Sequence, residues 1–125
     1  MSKVDTFKEL ARKATEKLEH RYNAPDIVPF ASQMVEIAKG DPDNRLLYSR
    51  VIIEFWEQKG IEEHVIEFCC HALQWQELSS YFAKKYQEAK AEEDWLAWQS
   101  LRHIMDSFSP DWEDATDFYA EYFSN

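Results

Sequence analysis

Glycine and proline are scarce, two and four in 125 residues. So few turn residues leave little material for the tight hairpins that join strands, and the alternation of β-branched side chains that marks strands is missing as well. Strand-rich folds are therefore excluded. Cysteine is limited to Cys69 and Cys70; adjacent on a helix, their side chains diverge and cannot form an ordinary disulfide, so buried reduced thiols are expected. No apolar run reaches the length of a membrane span, and Met1–Lys13 is charged without the core of a signal peptide, which implies a cytoplasmic protein without membrane contact. A glycine-rich phosphate loop, zinc-finger spacing and a nucleophile elbow are all missing. Cations are in deficit, 14 Lys and Arg against 24 Asp and Glu for a net charge of −10. That balance disfavours direct nucleic-acid binding and suits a basic partner or plain solubility.

What is present is apolar bulk. With 45% hydrophobic and 15% aromatic residues, the chain can fill the core of one all-α domain spanning residues 1–125. Thr6 and Glu9 read as a capping box for a first helix, Thr6–Tyr22, which buries Phe7, Leu10, Ala11, Ala14, Leu18 and Tyr22. Its other side carries Lys8, Arg12, Lys13, Lys17 and Arg21, the one basic stretch of the chain. Asp26 is placed to cap a second helix that stops at Gly40, with Pro29 in its first turn. Asp41-Pro42-Asp43-Asn44 is a turn and cap; it is no calcium loop, because Arg45 stands at a ligand position and the glycine and distal glutamate are missing.

The densest apolar stretch is Asn44–Trp56, where large side chains spread over most of the helix circumference and leave a polar strip at Arg50, Glu54 and Glu57. Such a helix is expected to be surrounded. Gly60, as a residue tolerant of positive φ, would end it and lead into the second apolar run, Ile61–Leu73, to form a central hairpin. A fifth helix then carries Leu78, Tyr81, Phe82, Tyr86 and Ala89, and a sixth follows Glu92-Glu93-Asp94 with Trp95, Trp98, Leu101, Ile104, Met105 and Phe108. Ser109-Pro110 supplies a cap and an N1 proline for a seventh helix, Asp111–Phe123. The expected fold is about seven short helices in antiparallel pairs. Either an α-α superhelix or a compact helical bundle satisfies that pattern.

Chemistry-bearing groups are few. His64, Glu67 and His71 should form a polar strip on the open face of the fourth helix, of a type that ligates zinc or iron, but no second Glu-x-x-His pair completes a di-iron site. Cys69 or Cys70 beside His71 makes poor geometry for a nucleophile and base. No catalytic residue, metal or cofactor is therefore assigned. A metal-dependent helical enzyme centred on the strip is the least favoured of three function classes.

The seventh helix is the most informative surface. Trp112, Ala115, Phe118, Tyr119, Tyr122 and Phe123 fall on one arc, and Glu113, Asp114, Asp117 and Glu121 on the other. Like charges at i, i+4 and i+8 cost about 0.2–0.5 kcal/mol per pair, and no lysine or arginine follows Arg102 to offset them. The stripe is a solvated face, an internal partner of the basic first helix, or a docking surface for a basic protein. Trp75, Trp95 and Trp112, each at a helix boundary, are candidate half-exposed anchors.

The segment Phe68-Cys69-Cys70-His71-Ala72-Leu73-Gln74-Trp75, followed by Trp95–Phe108 and Trp112-Glu113-Asp114, resembles the all-helical, HEAT-like immunity proteins of bacterial contact-dependent growth inhibition. The resemblance implies a cognate toxin, expected as a basic nuclease, whose active or nucleic-acid-binding surface is blocked by acidic and aromatic residues. The expected docking residues are Glu92, Glu93, Asp94, Trp95, Trp112, Glu113, Asp114, Asp117 and Glu121. The competing class is a non-catalytic scaffold or adaptor that presents a groove to a protein or peptide.

Overall fold

In the computed structural model, which describes residues 2–123, the chain enters helix almost at once. Helix α1 spans Lys3–His20, and its cap is Ser2, whose Oγ accepts the Asp5 amide at 3.1 Å. Thr6, the expected cap, lies one turn inside and donates its hydroxyl to the Ser2 carbonyl at 3.1 Å. Serine caps as well as threonine, and starting earlier lets Val4 pack against the core. The helix ends before Tyr22, which is exposed.

Asp26, also expected as a cap, sits within a 3-10 turn, Ala24–Ile27, and accepts the Asn23 side-chain amide at 2.9 Å. Helix α2 (Val28–Lys39) follows with Pro29 in its first turn. A second 3-10 turn, Pro42–Asn44, leads into α3 (Arg45–Gln58). Asn44 does not cap α3; its amide and the Tyr48 hydroxyl both donate to Asp41, at 3.1 and 2.8 Å. Three further helices are α4 (Glu63–Leu73), α5 (Gln76–Ala91) and α6 (Trp95–Ser107). Asp94 caps α6 by accepting the Ala97 amide at 3.2 Å.

With only two glycines available, the left-handed residues that end helices are Lys59 (φ 56°), Gln74 (φ 50°) and Glu93 (φ 57°). Gly60, expected in that role, has no positive φ. The expected seventh helix is broken: α7 covers Glu113–Asp117, and α8 covers Ala120–Phe123. At the break the Phe118 and Tyr119 amides both reach the Asp114 carbonyl, at 2.8 and 3.2 Å. This wide turn ends the i, i+4, i+8 run of Glu113, Asp117 and Glu121 that made a continuous helix unfavourable.

Eight helices and no strand are found among the described residues, an all-α fold. Its centre is α4, not α3. Val65, Ile66, Phe68, Cys69, Cys70 and Leu73 of α4 are buried, and α1, α2, α3 and α6 all pack on it. Contacts of one helix with elements far away in sequence describe a bundle; in a superhelix each repeat touches only its neighbours. The apolar girdle of α3 is only half used. Tyr48, Val51 and Ile52 reach the core, whereas Leu46 is 73% exposed and Leu47 is also exposed. No described helix is long and apolar enough to cross a membrane.

Candidate functional site

The central position of α4 reverses the expectation for its polar strip. Glu67 lies not on an open face but between α6 and the start of α7, where it lines a cavity, and it is only 6% exposed. Among the described residues it has neither a hydrogen bond nor an ion pair. Burial pushes its carboxyl up to about 8, and the negative charges of Glu63, Asp114, Glu62 and Asp106 push the same way. Near neutral pH the group therefore holds its proton.

The flanking histidines serve packing. His71 Nδ1 lies 2.8 Å from the Ser107 carbonyl, which can only accept, so that nitrogen carries the proton. Its ring meets Trp112 at 5.0 Å and Phe123 at 4.7 Å. His64 stands between the rings of Tyr22 (5.6 Å) and Phe118 (6.4 Å), with Nδ1 buried and unpaired. Among the described residues no three His, Cys, Asp or Glu side chains are gathered closely enough to hold a metal ion. Cys69 and Cys70 are buried free thiols, and burial raises both, Cys69 to about 12, far from a reactive thiolate.

Phe68 of α4 organises the C-terminal segment. Its ring contacts Tyr119 and Tyr122 at 5.2 Å each and Phe123 at 5.0 Å. The Tyr119 hydroxyl is buried without a partner, and burial, then Asp114 and Glu67, raise its pKa. These contacts seat the C-terminal segment on α4, and Glu113 and Asp114 frame an open cavity of about 480 Å³ together with Glu67, Arg102, His103, Asp106, Asp111 and Trp112.

The expected docking residues fall into two groups. Glu92, Glu93, Asp94 and Trp95 cluster at the α5–α6 turn, and all are exposed. Trp112, Glu113, Asp114, Asp117 and Glu121 lie past the other end of α6, a helix of 13 residues or about 20 Å. Trp95 is 57% exposed and continues into Leu96, the most exposed large apolar side chain described. Trp75 and Trp112, in contrast to the expectation of exposed anchors, are buried. Trp75 lies under the Arg45 guanidinium, 5.0 Å from its ring, while Arg45 forks onto Glu77 with two bonds of 2.7 Å. Trp112 is a wall of the acid-lined cavity.

Ion pairing leaves both groups unsatisfied. The ion pairs among the described residues are Arg12–Glu9, Arg45–Glu77 and Lys85–Glu88. None joins the basic face of α1 to the acids of α7 and α8, so the internal pairing considered for that stripe is not formed. Asp106 and Asp111 join the site only through the packing of α6 and α7 on α4. On its own helix Asp106 is an ordinary residue of the polar face, and nothing local signals that a buried glutamate is its neighbour.

Comparison with protein-family models, with curated proteins and with solved structures gives no match.

Proposed function

We propose that the protein is a cytoplasmic immunity protein, which binds a cognate toxin and neutralises it by covering the toxin's active or nucleic-acid-binding surface. The toxin in this reading is a basic nuclease domain. The observation that carries it is the set of carboxylates at both ends of α6 that no cation among the described residues pairs with. Opposite charge on a partner would speed encounter and select the partner, and a partner seated across both ends of α6 would cover the exposed Trp95 and Leu96 at its first turn. Desolvated aromatic side chains of this kind slow dissociation.

The test is co-expression in a toxin-sensitive bacterium with the nuclease encoded beside this gene in its native genome. Wild-type protein is expected to restore growth. A variant carrying Glu92→Gln, Glu93→Gln, Glu113→Gln and Asp117→Asn should bind the purified nuclease at least about tenfold more weakly at low salt, with a shallower salt dependence. Absence of protection by wild-type protein defeats the reading.

A scaffold role is the second reading, and one observation favours it: a groove of about 540 Å³ between α3 and α5 is lined by the exposed Leu46 and Leu47 with Ile53 and Tyr81. If Leu46→Ser with Leu47→Ser removes protein binding while the acid variant does not, that reading replaces the first.

A further inference from the structure

The cavity between α4, α6 and α7 has one feature that a solvated acidic face does not need. Glu67 lines it, is 6% exposed, and is unpaired among the described residues. A carboxyl this enclosed and without a partner is destabilising, and an apolar residue of similar size would serve the core better; its oxygens keep access to water through the cavity, where an incoming cation can reach them. Asp106 and Asp114 line the same cavity, and the flat Trp112 indole forms part of its wall.

We propose that this cavity is a socket for one arginine side chain of a protein partner, with Glu67 as the inner acceptor, Asp106 and Asp114 as the outer ones, and the edge of Trp112 as part of the wall. A guanidinium matches this set because it is planar, weakly hydrated and able to fork onto two carboxylates at once. A metal ion matches it less well, since no three ligating groups converge among the described residues. The chain's own Arg102 also lines the cavity, but its guanidinium sits 5.5 Å over the Trp98 ring and pairs with none of these acids. The volume, about 480 Å³, accommodates a long side chain with the backbone that carries it. The inference rests on the proposed function only in taking the partner to be a basic protein.

The probe is a blocked Gly-Arg-Gly peptide, titrated into isotope-labelled full-length protein at about pH 9 and low salt, where Glu67 is ionised and arginine keeps its charge, while the Trp112 indole resonance is followed. The arginine peptide should shift that resonance saturably, and the neutral isostere with citrulline should bind at least about tenfold more weakly, as expected when a charge-assisted pair is lost. Glu67→Gln and Asp114→Asn should each weaken the arginine peptide at least about fivefold, with thermal melts confirming that both variants fold. Equal binding of the citrulline peptide, or wild-type affinity in both variants, overturns the socket; if Glu67→Gln does not fold, Asp114→Asn decides. Arginine binding without toxin protection would defeat the immunity reading and leave the socket standing. Protection that survives both substitutions with undiminished toxin affinity would do the reverse.

Discussion

Glu67 is the residue at which stability and function meet. Its carboxyl titrates near 8 in the folded chain against an ordinary 4.5. Between those values the folded state holds a proton that the unfolded state has released. The stability this group contributes is therefore fully present below about pH 4.5 and is lost as pH rises through about 8, with a slope approaching 1.4 kcal/mol per pH unit. Glu67→Gln keeps the shape and removes the ionisation. The variant should melt close to wild type at about pH 5 and several degrees above it at about pH 9, a difference on the order of 2–4 kcal/mol. Parallel melting temperatures across that range would show that Glu67 has a counter-charge in solution.

At the scale of elements, α4 is the support and the α7–α8 segment is what it positions. The segment is two short helices broken at Phe118–Tyr119, too short to persist by backbone hydrogen bonding alone. Its order comes from rings seated on Phe68 and His71. Phe68→Ala should cost about 3–5 kcal/mol. Amides from Glu113 to Phe123 should then exchange faster than those of α1 and α2, measured by hydrogen exchange under conditions where the domain stays folded. Uniform acceleration over all helices would mean that the segment is not a separable unit. Because the same segment carries Glu113 and Asp114, this variant should also lose arginine-peptide binding while leaving the α5–α6 turn unchanged.

Over the whole molecule the dominant quantity is charge. A net charge of −10 and few ion pairs among the described residues mean that the folded state concentrates repulsion which the expanded chain relieves. Raising sodium chloride from about 0.05 M to about 0.5 M shortens the screening length severalfold and should raise the melting temperature by a few degrees, as followed by circular dichroism. The same screening should weaken a basic partner. Opposite salt dependences of stability and binding would separate the two roles of the acids, and a melting temperature that falls with salt would show that attractive pairs outweigh the repulsion.

The helical class was determined by the sequence itself, because scarce glycine and proline and the 3.6-residue spacing of apolar side chains are local properties. The same holds for most helix boundaries and for the exposed acids of Glu92-Glu93-Asp94. Capping is readable only in part: Ser2 and Thr6 are equally competent on local grounds, and the helix starts at the earlier of the two, with Val4 packed against the core. Apolar content ranks α3 above α4 and the structure reverses that order, since apolar content measures what a helix is able to bury, whereas burial depends on how many neighbours surround it. Leu46 and Leu47 were left in solvent and Glu67 was enclosed for that reason. The acid-lined cavity joins residues of α4, α6 and α7 that are as far apart in sequence as Glu67 and Asp114. No spacing rule along one chain relates them, and only the docking of α6 and α7 onto α4 brought their charges together.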